Sequence, residues 1–390
     1  MVKFKELDNK IVGNNKSMNF ILMEISYLKL NKELTFLDSH LDQKLPLESV
    51  KVISSNSFFQ HHKKMEGLFI NNYGQSRLNE LKSKLSICYS FELPDQIESE
   101  LYKLGKSVIK NHDDKLKQEI DKIYNLFFMR QFKNIITLST AIWLVKDSCV
   151  QENNTYFITK SGYQNHTRIE MPYTLANGEH KTISLTDEEL IEVEKNYFLL
   201  YSIMARPLST APLTVHHTER ASTIENDKLD RSKESSFVRA LISLQNARRS
   251  GQLTVKIDFY MQVLQCIYGL EGMKSAKIEK TLQNITSNLL NLNPKDSQQL
   301  TQALSISNNF SSEKGKKGLL DTIKIAFRIR SKQSHGNKVT YSAREIEKIV
   351  ILVDEYVRKV LQIVLPDGNL DYSTKEEAKK VFDYFNSFNK

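Results

Sequence analysis

Two residues near the end of the chain have side chains suited to phosphate chemistry. Arg330 and His335 lie five residues apart in the segment Ile325 to Asn337. Histidine is the side chain whose unperturbed pKa lies near neutrality, so it can take and return a proton there. An arginine guanidinium stays protonated and binds phosphate oxygens through paired hydrogen bonds. The pair therefore predicts a site in which His335 transfers a proton and Arg330 stabilises negative charge.

Positive charge is concentrated around this pair. The whole chain has 55 Lys and Arg against 46 Asp and Glu, a formal net charge of +9, and such a balance favours polyanionic partners. Between Glu313 and Lys338 the acidic residues are Glu313 and Asp321, and the basic ones are Lys314, Lys316, Lys317, Lys324, Arg328, Arg330, Lys332 and Lys338. Because phosphate contacts supply most of the sequence-independent affinity for a nucleic acid, this tract predicts a nucleic-acid-binding surface.

The elements that must position the pair are helices with apolar stripes. They are predicted at Phe237 to Arg248, Val255 to Lys274, Ile278 to Leu292, Leu319 to Arg330 and Ser342 to Val364. Ser342-Ala343-Arg344-Glu345 has the form of a capping box at the start of the last helix, and Pro366 follows its end. The succession predicts an antiparallel helical bundle.

The local helix geometry decides whether the pair can act together. On a regular helix Arg330 and His335 are about 140° apart, so they share a site within one chain only if the helix ends between them. Gly336 is a residue type favoured at a helix C-terminus, which would allow this. The alternative is that Arg328 and Arg330 pair with acids of neighbouring helices while His335 caps a helix end.

The segment resembles the HEPN superfamily of ribonucleases, and within it the ApeA-like group of bacterial defence systems. The matching features are Arg328-Ile-Arg-Ser-Lys332 followed by His335-Gly336, the long last helix, and an upstream helix running from Ile257-Asp-Phe259 to Leu270-Glu-Gly272. In the wider family the residue after the arginine is often Asn, Asp or His, whereas Ser331 stands here. The resemblance covers about a third of the chain.

The resemblance implies a metal-independent endoribonuclease with Arg330 and His335 as its catalytic residues. His335 would take the 2′-hydroxyl proton and Arg330 would stabilise the charge on the phosphate, which leaves a 2′,3′-cyclic phosphate end. The expected RNA-binding residues are Arg328, Lys332, Lys324 and Lys338. The family also implies a homodimer through the carboxy-terminal helices, a composite site, and a role in antiviral abortive infection or as a toxin. The alternative is a non-catalytic RNA-binding or dimerisation module.

Neither a metal nor a cofactor is expected. His112-Asp113-Asp114 is better interpreted as a helix start, and His216-His217 with Glu219 lacks further ligand residues nearby. The chain has no glycine-rich phosphate loop. Its cysteines, Cys88, Cys149 and Cys266, are spaced too far apart for a disulfide framework or a zinc site and are expected to be reduced core residues.

The rest of the chain is predicted to be a mixed α+β region over residues 1–205, followed by a linker over 206–236. The helical domain spans 237–366 and a helix or tail spans 367–390, so the whole protein is expected to be mainly α. Short strands are predicted from Met18 to about Gln75, two amphipathic helices after Pro94, and a β-hairpin within Thr155 to Leu185 that includes the turn-forming pair Asn177-Gly178. Thr186 to Glu189 is a second capping box. Since no segment resembles a signal peptide or a membrane helix, we expect a cytoplasmic protein. A further alternative is that the amino-terminal region senses a ligand and switches the nuclease on.

Overall fold

The computed structural model describes residues 19–31, 33–37, 49–91, 99, 135–160, 164–168, 173–204, 214–218, 221–225, 234–270, 272–273, 275–291 and 313–387. Over these ranges the chain is mostly helical, with an antiparallel sheet near its amino terminus, which confirms the predicted class at that level. The chain divides into two compact units. The first comprises Met1–Phe132 and Glu152–Glu170, and the second comprises Lys133–Gln151 and Met171–Lys390.

The first unit is built on a six-stranded sheet with strand order β3-β4-β5-β1-β6-β7. The strands, together with a short β2, are β1 (Asn19–Ser26), β2 (Leu28–Lys29), β3 (Leu34–Leu37), β4 (Ser49–Ser54), β5 (Leu85–Phe91), β6 (Gln151–Ile158) and β7 (Gln164–Arg168). The helices between β4 and β5 are α1 (Ser55–His61) and α2 (Lys63–Lys82). Their apolar side chains, including Phe58, Phe59 and Phe69, share one core with Phe20 and Leu22 of β1.

The predictions for this region hold in part. Strands are found from Asn19 to Ser54, as predicted, but Ser55–Lys82 is helical where the prediction continued strands to about Gln75. The buried apolar residues there recur at helical spacing on each side of Gly74, where the helix is kinked: Met65 and Phe69 are four residues apart, and Leu78 and Leu81 are three apart. The two helices predicted after Pro94, and the His112 segment between them, lie outside the described residues.

The predicted β-hairpin is present, but its turn is elsewhere. Strands β6 and β7 pair antiparallel, with Tyr156 opposite His166. Asn177-Gly178 does not join strands. It lies in a tight turn in which the Gly178 N–H donates to the Leu175 carbonyl at 2.9 Å, and Gly178 has a φ of 85°. The prediction of a turn at Asn177-Gly178 is therefore correct, but the prediction that this turn joins the two strands of the hairpin is wrong. The buried residues of β6 determine the strand pairing instead.

The second unit contains the helical bundle. Its described helices begin with α3 (residues 135–145). The others are α4 (Asp187–Met204), α5 (Ser236–Arg249), α6 (Leu253–Ile267), α7 (Ser275–Asn291), α8 (Glu313–Ser334), α9 (Ala343–Val364) and α10 (Lys375–Ser387). Further described elements are the two-residue β8 (Ile183–Ser184), a hairpin of β9 (Thr214–Thr218) and β10 (Ala221–Glu225), and a 3₁₀ turn at Gly368–Leu370. Helix α6 lies at the centre of the bundle and packs against α5, α8 and α9.

Two predicted helix starts have the expected capping geometry. The Ser342 side chain accepts from the Glu345 N–H at 3.3 Å, while the Glu345 carboxylate accepts from the Ser342 N–H at 2.8 Å. Thr186 and Glu189 make the same reciprocal pair at the start of α4. These bonds satisfy backbone donors that a helix start leaves without intrahelical acceptors, so both capping boxes are confirmed.

The observed units differ from the predicted division at residues 205 and 236. Helix α3 belongs to the helical unit, because Trp143 donates a hydrogen bond to Asp354 of α9 and Gln362 donates to the Leu144 carbonyl. The predicted linker contains β9 and β10, which pair antiparallel. Within the ranges that the structure describes, no helix is both long enough and apolar enough to cross a membrane.

Candidate functional site

Arg330 is held by a carboxylate on the central helix. Its Nε donates to Oδ1 of Asp258 at 2.9 Å, and Oδ2 of the same carboxylate accepts from Gln262 Nε2 at 3.2 Å. The guanidinium carbon lies 5.8 Å from the centre of the Phe327 ring. The Arg330 side chain is 23% exposed, and among the described residues no hydrogen bond engages Nη1 or Nη2. Arg330 is therefore fixed through one edge, while its outer nitrogens can donate a pair of hydrogen bonds to an anion.

His335 lies at the carboxy-terminal end of α8. Its backbone N–H still donates to the Ser331 carbonyl at 3.2 Å, as in a continuing helix. Gly336 follows with a φ of 68°, and its N–H donates to Gln333 while that of Asn337 donates to Lys332. These are the two bonds of a Schellman motif, which confirms Gly336 as the residue that ends the helix. The His335 side chain is exposed.

The structure does not bring Arg330 and His335 together within one chain. Because α8 stays helical up to His335, the two positions keep the separation of about 140° that regular helix geometry gives. Residues seven and eleven positions before His335 are, by the same geometry, within about 20° of it. Those residues are Arg328 and Lys324, so His335 shares its helix face with two of the predicted RNA-binding residues.

The remaining basic residues lie on the outer surface of the same region. Arg328 is exposed and pairs with Glu279 of α7 at 3.2 Å. Lys332 Nζ donates to Thr340 Oγ1 at 3.4 Å, and Lys338 is exposed in the loop before α9. Both arginines thus contact acids of neighbouring helices, as the alternative interpretation predicted. The Arg328–Glu279 pair is the more exposed of the two, and such pairs contribute about 0.2–1 kcal/mol, so phosphate can replace Glu279 at small cost.

A second set of charged side chains lies in the core of the helical unit. The Asp354 carboxylate is completely buried. It accepts hydrogen bonds from Trp143 Nε1 at 3.0 Å, from the Tyr260 hydroxyl and from Arg358. Burial, with a smaller contribution from Asp354, raises the pKa of the Asp147 carboxyl to about 6. This set, which we call the buried cluster, comprises Trp143, Asp147, Arg248, Lys256, Tyr260, Asp354 and Arg358.

Two cations of the buried cluster, Arg248 and Lys256, are also completely buried. Arg248 is completely buried, donates through Nη2 to the Ser148 carbonyl at 3.3 Å, and lies 4.3 Å from the centre of the Tyr173 ring. Burial lowers the pKa of Lys256 to about 8, and its Nζ donates to the Thr174 carbonyl at 3.4 Å. Since Asp354, Arg248 and Lys256 are completely buried and the Arg358 side chain is only 14% exposed, we assign these charges to holding the helices together. Arg330 and Arg328 are, by contrast, accessible to a substrate, with side chains 23% and 52% exposed.

Sequence reasoning did not assign functional roles to Asp258 and Gln262. Both lie on α6 four residues apart, which places them on one helix face. Asp258 interrupts an apolar stretch between Ile257 and Phe259, and an acid in that position is a signal for a fixed partner. Without the fold, however, nothing in the spacing identifies Arg330, 72 positions away, as that partner.

No family model, no curated protein and no solved structure matches this chain. Over the described part of the chain no group of three or more His, Cys, Asp or Glu side chains is arranged to hold a metal ion. The cysteines Cys88, Cys149 and Cys266 are buried free thiols, as predicted.

Proposed function

We propose that the protein is a metal-independent endoribonuclease of the HEPN type. The proposal rests mainly on Arg330, which Asp258 holds in place and whose Nη atoms are available at the surface. The same helical unit presents His335 within a basic tract. The resemblance of the Arg328 to Gly336 segment to HEPN ribonucleases points to the same residues. Single-stranded or looped RNA is the polyanion that supplies a 2′-hydroxyl nucleophile.

The proposed reaction uses proton transfer and charge stabilisation. His335 accepts the 2′-hydroxyl proton as the 2′-oxygen forms a bond to phosphorus. Arg330 stabilises the charge that builds on the non-bridging oxygens. The bond from phosphorus to the 5′-oxygen then breaks, and that oxygen takes a proton from a second acid. The products are a 2′,3′-cyclic phosphate and a 5′-hydroxyl end.

A composite site between two chains supports this chemistry better than a single chain does. Arg330 and His335 point to different sides of α8, so an arginine of one chain and a histidine of another are needed at one phosphate. In such a site solvent water supplies the second acid for the leaving 5′-oxygen. Helix α9 offers a surface for such pairing, because Ile351 is 40% exposed while Ile349, Val350 and Val353 are buried. A two-fold axis is the most frequent symmetry of soluble oligomers.

Alanine variants test the catalytic assignment. We expect Arg330→Ala and His335→Ala each to lower the cleavage rate by about 10²–10⁴-fold with unchanged thermal unfolding. Arg328→Ala is the matched control, since it removes an exposed arginine of the same helix and should raise KM more than it lowers kcat. Full activity in either of the first two variants, or loss of kcat in the control alone, contradicts the catalytic roles of Arg330 and His335.

The second candidate function is a non-catalytic RNA-binding or dimerisation module. The ion pairs of Arg330 with Asp258 and of Arg328 with Glu279 favour it, because both arginines already have structural partners. The two candidates differ in one result: the module binds RNA and leaves it intact. For the nuclease we further propose a role in abortive infection or as a toxin, so expression of the wild type should arrest growth and His335→Ala should not.

A further inference from the structure

An open cavity of about 160 Å³ lies between helices α5 and α6. A single water molecule needs roughly 10–15 Å³ on this scale, so the cavity accommodates a group about ten times larger. Its walls include Arg239, Ile242 and Ser243 from α5 and Gln262 and Gln265 from α6. All but Gln265 are partly exposed, so a ligand can enter from the surface.

The wall of the cavity is rich in hydrogen-bonding groups. Ser243 offers a hydroxyl, Arg239 a guanidinium, and Gln262 and Gln265 offer amides that both donate and accept. Glu234 adds a carboxylate to the lining. The Nε2 atom of Gln265 is buried and, within the described residues, has no hydrogen-bond partner. Because a buried N–H without a hydrogen-bond partner is unfavourable, this amide favours a ligand with an oxygen or nitrogen that can accept from it.

One side chain connects the cavity to the proposed catalytic arginine. Gln262 lines the cavity and donates to Asp258 Oδ2 at 3.2 Å, and Asp258 Oδ1 accepts from Arg330 at 2.9 Å. A ligand in the cavity is therefore separated from the Arg330 guanidinium by one amide and one carboxylate. A phosphate bound to Arg330 and a neighbouring base of the same RNA strand can therefore occupy Arg330 and the cavity at the same time.

We propose that the cavity binds the base of one nucleotide beside the phosphate that Arg330 contacts, and that it selects which base is accepted. This base site rests on the proposed RNA cleavage. Amides and carboxylates recognise the edges of bases, and proteins read RNA mostly through unstacked single-stranded bases. The Glu234 carboxylate accepts from an exocyclic amino group, which adenine, cytosine and guanine have and uracil lacks. The cavity thus selects against uracil at one position next to the cut.

A cavity-filling variant with a matched control tests the selection. Ser243→Leu places a larger apolar side chain in the cavity, and Asn246→Leu makes the same kind of change one turn further along α5. Cut sites in a random RNA pool are mapped by sequencing for both variants and the wild type. We expect Ser243→Leu to lose the discrimination against uracil and to lower kcat/KM by at least about tenfold. Asn246→Leu should keep the wild-type profile. An unchanged profile in folded Ser243→Leu overturns the proposal.

Titration with free nucleotides separates this base site from the cleavage reaction. Calorimetry with the 3′-monophosphates of adenosine, cytidine, guanosine and uridine measures binding to the wild type and to Ser243→Leu. We expect at least one of the amino-bearing nucleotides to bind the wild type about tenfold more tightly than the uridine nucleotide, and Ser243→Leu to bind none of them. If the wild type cuts no RNA, the proposed nuclease function fails, and the titration still decides the cavity. Equal binding of all four nucleotides, or no binding, overturns the base site even if Ser243→Leu fails to fold.

Discussion

Helix α6 has polar side chains on two opposite faces, and the two faces have different environments. Lys256 and Tyr260 point into the buried cluster around Asp354 and are completely buried. Asp258 and Gln262 point to the other side, where they are partly exposed, and Asp258 accepts hydrogen bonds from both Gln262 and Arg330. Positions two residues apart on a helix are about 200° apart, which explains how one helix serves both sets.

The charged residues that stabilise the fold are more deeply buried than the arginine that we propose to react. Arg248 is completely buried, whereas the Arg330 side chain is 23% exposed. Removing one partner of a buried ion pair leaves an uncompensated charge and is strongly destabilising, whereas a pair near the surface contributes little to stability. Substitutions on the inner face should therefore unfold the protein, and substitutions on the outer face should affect its chemistry.

The largest expected effect is from Asp354→Ala. This change removes the acceptor for Trp143, Tyr260 and Arg358 at once and leaves their donors buried. We expect the free energy of unfolding of the helical unit to fall by about 3–5 kcal/mol. Urea unfolding followed by fluorescence measures it well, because Trp143 is the single tryptophan of the chain and contacts Asp354 directly. A loss below about 1 kcal/mol would mean that the buried cluster is not structural.

Asp258→Asn tests the outer face. The amide can still accept from Arg330 but lacks the charge that orients the guanidinium. We expect kcat for RNA cleavage to fall by about 10²-fold, as small misplacements of catalytic groups do, while the free energy of unfolding changes by less than about 1 kcal/mol. Asp321→Asn, on the exposed side of α8, is a control that should change neither. If Asp258→Asn lowers the free energy of unfolding as much as Asp354→Ala does, the outer face of α6 is as important for stability as the buried face, which contradicts the comparison.

The buried cluster should also give a pH dependence of stability. The pKa of Asp147 is about 6 in the folded protein, above its ordinary value of 3.8. Its protonated form therefore contributes stability that is complete below about pH 4 and is lost as pH rises through about 6. The charged groups facing it include Asp354, Arg358, Lys256 and Arg248. Relative to the wild type, Asp147→Asn should gain stability as pH rises from 4 to 6, by at most about 1.4 kcal/mol per pH unit. A constant difference between the two proteins from pH 4 to 7 would contradict this.

The smallest expected effect on stability is from Ile351→Glu on the outer face of α9. Because Ile351 is 40% exposed, its replacement should change the free energy of unfolding by no more than about 0.5 kcal/mol. It should nevertheless dissociate the proposed dimer and abolish RNA cleavage, which sedimentation and activity assays measure together. Lys348→Glu, one turn earlier, is a control for added negative charge. A wild-type monomer that cuts RNA at a rate proportional to its concentration would refute the composite site.

Local features were predicted better than long-range ones. The capping boxes at Thr186 and Ser342 and the helix end at Gly336 follow from bonds within a few residues, so the sequence carries them directly. The helical bundle followed from apolar spacing, and the change from strands to helices after Ser54 was missed because short apolar runs fit both structures.

The long-range contacts could not be read from spacing. The buried cluster joins residues from four separated segments, among them Asp147 and Asp354, and the partner of Arg330 is on another helix. The sequence named Arg330 and His335 as candidates. It could not show that α8 remains helical between them. Because it does, we place the proposed site at the contact between two chains.

Mapping the ends of cut RNA in the presence of a chelator tests the proposed metal-independent cleavage most directly. The protein is incubated with a defined single-stranded RNA in excess EDTA, and the fragments are identified by mass. We expect cleavage at the same rate as without EDTA, with 2′,3′-cyclic phosphate and 5′-hydroxyl ends that are absent with His335→Ala. Cleavage only after addition of Mg²⁺ or Mn²⁺, or fragments with 3′-hydroxyl and 5′-phosphate ends, would contradict it.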